Sequence, residues 1–376
     1  PVAAASGWLA ARLDLRRHGR QKLDLPAAYF QGLNYLLNEQ PDKAIEVFLR
    51  VLEVNSETVE THLALGSLFR RRGEVERAIR VHQNLIARPT LDKDQRSKAL
   101  LELGHDYFKA GLLDRAENLF LELTELRAHS EPALRQLLHI YQQERDWEKA
   151  IAVARKLARV SDKNMDAVIA QYWCELAEAA ASRGNLGLAR EALRDALKAD
   201  RHCVRASILS GDLALKENDP REAIQRWRHI EEQDPRYLGE VAQRIADAYR
   251  QLDDGEGLHD YFRRVHAHGG EHAVALILAG IIRARDGRKA AEHFVIDWLR
   301  RRPNVHGLHE LISLNLEEVQ GQTHQDLMLL KGIIESLREQ HQGYVCEQCG
   351  FKARKLHWLC PGCNRWNTVR ALEDNP

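Results

Sequence analysis

The residues best suited to chemistry lie in the last 31 positions of the 376-residue chain. Cys346 and Cys349 form one C-x-x-C pair, and Cys360 and Cys363 form a second pair, with ten residues between the two pairs. Four thiolates at this spacing can surround one tetrahedral metal ion. A disulfide-stapled secreted domain would carry cysteines throughout a short chain, so the pattern favours a reducing compartment and one local metal site.

The residues around the two pairs support metal binding. Gly350 and Asn364 follow the second cysteine of each pair, and both types tolerate the left-handed backbone that a metal knuckle needs. So short a unit cannot fold by apolar burial alone, and a bound metal would supply the missing stability. We expect an aromatic core around the site from Tyr344, Phe351, Trp358 and Trp366. Basic residues are expected to offset the thiolate charge, with contact to nucleic acid or an acidic partner as the alternative: Lys352, Arg354, Lys355, His357, Arg365 and Arg370.

Residues 344–371 resemble a rubredoxin-like or zinc-ribbon knuckle pair. Full rubredoxins have a longer stretch between the knuckles and usually glycine after both, whereas this chain has a short gap and Asn364. These departures disfavour electron transfer, because a redox centre needs a shielded iron and a partner surface. The expected cofactor is one ion in a site of four cysteines, with structural zinc preferred and iron as the alternative.

The segment before this site is repetitive. Alanine recurs at intervals of 34, 38, 34, 39 and 34 residues, at Ala44, Ala78, Ala116, Ala150, Ala189 and Ala223. Twelve residues before each alanine lies a second position that is mostly small: Gly32, Gly66, Gly104, Leu138, Ala177 and Gly211. Four residues after each alanine lie Phe48, His82, Phe120, Ala154, Leu193 and Trp227.

This pattern resembles the tetratricopeptide repeat, a 34-residue helix–turn–helix unit. Small residues let two antiparallel helices approach closely, and neighbouring pairs must stack to bury their apolar faces. Pro41 and Pro220 precede their alanines by three residues, where the first turn of a helix tolerates proline. We therefore predict an all-α, superhelical solenoid of helical hairpins over residues 29–340 and a small metal-binding domain over residues 344–371.

Six repeats are clear, and up to three more are degenerate. After residue 236 the spacing continues with Ala246 and Phe262, but Leu258 occupies the alanine position. Residues 306–340 form a predicted last pair with apolar residues at helical spacing: Leu308, Leu311, Ile312, Leu327, Leu330, Ile333, Ile334 and Leu337. The arginine runs 70–72 and 300–302 are interpreted as helix ends, with partner contact as the alternative.

The first 28 residues have a different composition. Residues 1–11 are small and apolar with one tryptophan, Trp8, and residues 12–28 carry a cluster of positive charge. Eleven helical residues rise about 16 Å, which is too short to cross a hydrocarbon core. We interpret 1–11 as the remnant of a truncated single-pass anchor and 12–28 as a basic juxtamembrane segment, with the remainder in the cytoplasm. A frayed amphipathic leader is the alternative.

Charge and motif content argue against several functional classes. The 55 lysines and arginines are balanced by 55 aspartates and glutamates, so the basic excess typical of nucleic-acid binding is missing. The sequence has no phosphate-binding glycine loop, no G-x-S-x-G and no H-E-x-x-H, so no enzyme is expected. The loop with His266, His268 and His272 is a poor metal cage, and Cys174 and Cys203 are interpreted as small core residues in helices.

The order of anchor remnant, repeats and rubredoxin-like pair is similar to that of the lipopolysaccharide assembly protein B family of Gram-negative bacteria. The resemblance covers essentially the whole chain. It rests on "PVAAASGW" followed by basic residues, on "LGSLFRRRGEVERAIRVHQ", on "LLDRAENLF" and on "CEQCGF…HWLCPGCNRW". The metal-ligand role that it implies falls on Cys346, Cys349, Cys360 and Cys363.

The resemblance implies an inner-membrane regulator of lipopolysaccharide synthesis whose soluble part faces the cytoplasm. The implied partners are a membrane AAA+ metalloprotease and the deacetylase of the committed step of lipid A synthesis, whose degradation the adaptor promotes. Links to lipopolysaccharide transport proteins and other inner-membrane regulators are also implied, and a homodimer is left open. The alternatives are a repeat scaffold whose metal knuckles bind nucleic acid or carry redox chemistry, and a co-chaperone that binds acidic peptide tails.

Overall fold

The computed structural model describes residues 27–372 except residues 39, 55–58, 270–271 and 342. The predicted anchor remnant at 1–11 and most of the basic segment at 12–28 therefore lie outside the described residues. The chain divides into two compact units, residues 1–145 and residues 146–376. None of the described helices combines the length and the apolar content needed to cross a membrane.

The first unit consists of antiparallel helices joined by short turns. Its described helices are α1 (Ala27–Leu37), α2 (Pro41–Val54), α3 (Val59–Arg71), α4 (Val75–Ile86), α5 (Lys93–Lys109), α6 (Leu113–Glu125) and α7 (Ser130–Glu144). Helix α1 packs on α2, α3 on α4 and α5 on α6, and each pair contacts the next. This is the stacked-hairpin arrangement that the repeat predicts.

The second unit continues the same architecture and ends in a small sheet. Its helices are α8 (Trp147–Ser161), α9 (Asp166–Ser182), α10 (Leu186–Ala199), α11 (Val204–Lys216), α12 (Pro220–Arg228), α13 (Ile230–Gln233), α14 (Leu238–Gln251), α15 (Gly255–Ala267), α16 (His272–Asp286), α17 (Arg288–Arg301), α18 (Val305–Asn315) and α19 (Gln322–His341). A 3₁₀ helix, Pro235–Tyr237, precedes α14, and the strands are β1 (Tyr344–Cys346), β2 (Lys352–Ala353) and β3 (Val369–Ala371). The predicted fold class is confirmed.

Close approach of paired helices occurs at the predicted small residues. Each recurring alanine is at most 1% exposed. A Cβ added to any of four glycines would meet the ring of the residue sixteen positions later, as the pairs Gly32–Phe48, Gly66–His82, Gly104–Phe120 and Gly211–Trp227. The ring of one helix therefore fills the space that the absent side chain leaves on the other.

The turns explain where the helices begin and end. Asp146, Asn185, Asp219 and Asp254 each accept a hydrogen bond from the backbone N–H three residues later, at 2.8–3.2 Å. Such N-caps satisfy donors that the first turn of a helix leaves free. Gly184 adopts a φ of +78° in the turn before α10, a conformation that glycine reaches without strain.

His82 occupies a core position where three of the other repeats place an aromatic ring, and it is fully buried. Its Nδ1 lies 2.5 Å from a carboxylate oxygen of buried Asp106. Arg70 donates to the other Asp106 oxygen at 2.7 Å and to Glu102 at 2.6 Å. Arg70 is thus at the end of α3, as predicted, but its charge also binds two carboxylates of α5, which the sequence interpretation missed.

The predicted last pair is present as α18 and α19, but much of its apolar surface is exposed. Ile312 and Ile334 are buried, whereas Leu308, Met328, Leu329, Leu330, Ile333 and Leu337 are 39–67% exposed. Within the described chain no further helix follows α19, so nothing of the repeat type covers its outer face. Helical spacing predicted the element correctly but not its burial.

Substitution of one glycine tests the close approach of helices. Gly211→Ala places a Cβ 2.3 Å from Trp227 Nε1, so we expect a loss of roughly 1–3 kcal/mol of stability from overpacking. The matched control is Gly280→Ala at an exposed position of α16, where nothing lies within 4 Å of the added Cβ. There alanine should raise stability by up to about 1 kcal/mol. Urea unfolding followed by far-UV circular dichroism measures both, and equal effects would contradict the packing argument.

Candidate metal centre

A three-stranded antiparallel sheet positions the carboxy-terminal cysteines. Its order is β2–β1–β3, with Val345 of β1 opposite Lys352 on one side and Arg370 on the other. Cys346 is the last residue of β1, so its side chain is placed by the sheet itself. Residues 344–372, which contain this sheet and both cysteine pairs, are called the metal module below.

The two C-x-x-C turns have the same hydrogen-bond pattern. Gly350 N–H donates to the Cys346 carbonyl and Asn364 N–H to the Cys360 carbonyl, both at 2.9 Å. Gly350 and Asn364 have φ values of +72° and +53°, which confirms the predicted left-handed backbone. Each tight turn brings its two thiols to the same side of the chain.

The four thiols converge on one point. Their Sγ atoms all lie within 4.8 Å of one another, and Cys346–Cys363 and Cys349–Cys360 are each 3.7 Å apart. Sulfurs about 2.3 Å from a tetrahedral zinc ion are about 3.8 Å from each other, so the arrangement fits such an ion. Among the described residues, no other group of three or more histidines, cysteines or carboxylates is arranged in this way.

The thiols influence each other's ionisation. A hydrogen bond with the Thr368 hydroxyl lowers the pKa of Cys346 to about 6. Desolvation opposes this shift, and the backbone N–H groups of Cys349 and Gln348 add to it. The Phe351 N–H lowers the pKa of Cys349, but desolvation and hydrogen bonds with the other cysteines outweigh it and raise the pKa to about 12. Cys346 is therefore the first of these two to become a thiolate, the form that binds metal.

Trp366 joins the metal module to the helices of the second unit. Its ring packs edge-on against Trp147 of α8 at 6.2 Å and against Tyr172 of α9 at 5.8 Å, between ring centroids. Trp147 and Tyr172 are themselves stacked at 5.7 Å. Edge-to-face aromatic pairs at these distances add to the stabilisation from buried area.

Trp358 makes the second contact with the helices. It stacks on Tyr237 at 5.5 Å with the two planes 22° apart. The Arg205 guanidinium of α11 lies 6.0 Å from the Trp358 ring and 5.9 Å from the Trp366 ring. The prediction that both tryptophans form a core around the metal is therefore wrong, because they face the solenoid, whereas Tyr344 and Phe351 pack beside the cysteines.

Arg205 is a buried charge with several partners. Its side chain is 4% exposed, and Nη2 donates to Glu175 and Glu178 at 2.8 Å each. Nη1 donates to Gln171 at 3.2 Å. Pairing offsets the cost of burying this guanidinium, and removal of a partner would leave an uncompensated charge.

Polar contacts complete the interface. The Tyr344 hydroxyl donates to Glu240 of α14 at 2.5 Å, and Arg370 donates to the Tyr237 hydroxyl. Arg370 also lies over the Tyr237 ring, at 5.2 Å. Of the basic residues expected to offset the thiolate charge, Arg370 therefore contributes to docking, whereas Lys352, Arg354, Lys355 and Arg365 are exposed.

The other candidate residues have different environments. Cys174 and Cys203 are buried, as predicted, but Cys203 is the N-cap of α11 and not a residue within the helix. His266 and His268 lie at the end of α15, and His272 begins α16. These histidines belong to no ligand group in the described part of the chain.

Truncation of Trp366 tests the docking contact. Trp366→Ala removes both edge-on ring contacts and should weaken docking by more than about 2 kcal/mol, as for aromatic anchors of interfaces. Hydrogen exchange of residues 344–371 should then become faster while α1–α7 stay unchanged. Lys355→Ala, at an exposed site of the same module, is the control and should leave exchange unaltered. Identical exchange in both variants would contradict the assignment.

Comparison with known proteins gives matches to both parts of the chain. Residues 344–371 match the family model of the rubredoxin metal binding domain, and residues 61–97 and 174–237 match tetratricopeptide repeat models. A solved tetratricopeptide repeat protein from Parabacteroides merdae is 15% identical, with a TM-score of 0.32, over 76% of this chain and 96% of that chain.

Two curated relatives match over nearly their full length. Lipopolysaccharide assembly protein B of Escherichia coli K12 is 36% identical over 374 residues, which cover 99% of this chain and 96% of the relative. Its namesake in Haemophilus influenzae is 32% identical over 385 residues, which cover 100% and 97%. With both the repeats and the rubredoxin-like module inside these alignments, the chain belongs to the lipopolysaccharide assembly protein B family.

Proposed function

We propose that the chain is a scaffold that regulates lipopolysaccharide synthesis. In this proposal it is an inner-membrane protein with residues 12–28 next to the membrane, and its soluble part faces the cytoplasm. It presents the deacetylase of the committed step of lipid A synthesis to a membrane AAA+ metalloprotease. Recovery of lipopolysaccharide transport proteins in the crosslinking experiment below would add them to its partners. The observation that carries the proposal is the full-length similarity to proteins named for lipopolysaccharide assembly.

The architecture is consistent with action by binding. Solenoids of stacked hairpins present extended surfaces that bind peptides and partner proteins. We assign the solenoid to residues 29–340 and the metal-binding domain to residues 344–371. Within the second unit, the module itself contacts α8, α9, α11 and α14 through Trp366, Trp358 and Tyr344. No catalytic step is part of the proposal.

We further propose that Cys346, Cys349, Cys360 and Cys363 each contribute one thiolate to a single zinc ion. Support comes from the two Sγ···Sγ distances of 3.7 Å, which fit tetrahedral zinc. The buried apolar core of the module is small, consisting of Cys346, Cys360 and Val369 with a few partly buried neighbours. A bound ion supplies the cross-link between the two knuckles, and the chain's own Trp358 and Trp366 then hold the module on the solenoid.

Loss of one ligand tests the metal site. Cys360→Ser should reduce the metal content of natively expressed protein from about one ion per chain to a small fraction, because three thiolates bind zinc far more weakly than four. Helical circular dichroism should persist, since all four cysteines of the site follow the last helix of the solenoid. Elemental mass spectrometry measures the content and identifies the metal.

The control for the metal test is Cys174→Ala, which alters a buried cysteine outside the site and should retain the ion. A Cys360→Ser variant with undiminished metal would refute the four-thiolate assignment. Iron in place of zinc would leave the ligands in place but overturn the choice of ion.

Depletion of the chain in its native host tests the adaptor role. The proposal predicts that the deacetylase accumulates several-fold, because it is no longer presented to the protease. Wild-type chain and Cys174→Ala should restore the normal level, whereas Cys360→Ser should not. Quantitative immunoblotting measures the enzyme, and crosslinking in native membranes identifies the partners.

An unchanged deacetylase level after depletion would overturn the adaptor role. Recovery of nucleic acid, with binding that weakens steeply with salt, would instead support the alternative use of the metal module. Recovery of the protease and deacetylase together is the expected crosslinking result.

A further inference from the structure

Two thiols outside the metal module lie against each other inside the second unit. The Sγ atoms of Cys174 in α9 and Cys203 at the start of α11 are 3.9 Å apart. Cys174 is 0% and Cys203 is 3% exposed. A disulfide has an S–S distance of about 2.05 Å, so the sulfurs must approach by roughly 2 Å, a distance that side-chain rotation can supply.

The two thiols have unequal environments. Hydrogen bonding from Cys174, together with the Ala206 N–H at the start of α11, lowers the pKa of Cys203 although burial opposes the shift. Burial, with a further contribution from Cys203, raises the pKa of Cys174. The thiolate is the reactive form of cysteine, and the N-terminus of a helix favours its negative charge. The pair therefore has one thiol suited to attack and a second, neutral thiol in contact with it.

The same thiols are connected to the docking surface of the metal module. Gln171 donates from Nε2 to Cys203 Sγ at 3.5 Å, and its Oε1 accepts from Arg205 at 3.2 Å. Arg205, two residues after Cys203, lies beside the rings of Trp358 and Trp366. Rotation of the Cys203 side chain towards Cys174 therefore changes the contact of Cys203 with Gln171, the residue that also accepts from Arg205 beside both tryptophan rings.

We propose that Cys174 and Cys203 are a redox-active pair that a peroxide converts into a disulfide, which loosens the contact between α11 and the metal module. Because both thiols are buried, a small oxidant reaches them more readily than a bulky disulfide such as oxidised glutathione. The pair is distinct from the four cysteines of the metal module. The proposed oxidation does not depend on the proposed role in lipopolysaccharide synthesis.

The chemistry balances with one peroxide for each disulfide. The Cys203 thiolate attacks one peroxide oxygen, the O–O bond breaks, and the departing hydroxide takes a proton to become water, leaving a sulfenic acid on Cys203. The Cys174 sulfur then attacks the Cys203 sulfur, the S–O bond breaks, and the departing hydroxide leaves as water with the Cys174 proton. Two thiols are oxidised, and one peroxide is reduced to two waters.

Peptide mapping of the full chain after exposure to hydrogen peroxide tests the modification. The expected result is a crosslinked pair of peptides containing Cys174 and Cys203, lighter than their sum by two hydrogens and separated again by dithiothreitol. Free thiols are alkylated before digestion so that exchange cannot create the link. If both cysteines remain fully alkylatable after denaturation, at peroxide doses that oxidise the exposed Cys349, the proposal is overturned.

Hydrogen exchange of residues 357–367 tests the second half of the proposal. Exchange should become several-fold faster in the oxidised wild-type chain and return to its original rate after reduction. Cys174→Ala is the matched control, because it cannot form the link but keeps all four cysteines of the metal module. If peroxide accelerated exchange equally in Cys174→Ala, the effect would come from oxidation of the metal module, and the proposed link between the disulfide and α11 would be overturned. A disulfide that forms without any change in exchange would overturn it as well.

Discussion

The close approach of two helices at small residues is the constraint on which the rest of the structure depends. Where Gly211 meets Trp227 and Gly104 meets Phe120, one helix receives the ring of the other. Repetition of this contact places equivalent positions of successive hairpins side by side. Ion pairs and hydrogen bonds consequently join residues one repeat apart, such as Gln171 with Arg205, separated by 34 positions, and Ser67 with Glu102, separated by 35.

The metal module depends on that stack for its aromatic contacts. Its own sheet has strands of two or three residues, and its two tryptophans have no place among the cysteines. Trp147 and Tyr172 of the helices provide a stacked pair against which Trp366 packs. The thiols organise the inside of the module, while the solenoid covers its apolar outer face. Within the second unit, the metal module and the helices that it contacts are therefore packed together as one body.

Buried polar groups make the stacking of helices specific within each of the two units. In the second unit, buried Arg205 pairs with two carboxylates of α9, and in the first unit, buried His82 pairs with one carboxylate of α5. Apolar side chains tolerate small changes in the register of stacked helices, whereas a buried charge requires its partners at fixed distances. We regard these two residues as determinants of how their hairpins stack, and Arg205 additionally connects the Cys174–Cys203 pair with the metal module.

The sequence by itself determined the features that depend on local spacing. Two C-x-x-C pairs, with Gly350 and Asn364 after them, sufficed to predict the knuckles, and the recurring alanines predicted the helical hairpins. These features follow from neighbours within a few residues or one repeat, so a linear pattern contains them. Helical spacing in α19 likewise predicted the helix, although burial of Ile333 and Leu337 depended on a neighbour that the described chain does not provide.

Only the tertiary structure decided which distant residues meet. Trp366 packs on Trp147, more than two hundred positions earlier, and Cys174 lies against Cys203 although each stands alone in the sequence. Those contacts depend on the rotation between successive hairpins and on the path by which the chain returns after α19. Both result from many weak side-chain contacts between helices, and no single sequence motif encodes them. The sequence therefore determined the parts and their chemistry, and tertiary packing decided that the metal module and the solenoid share a surface.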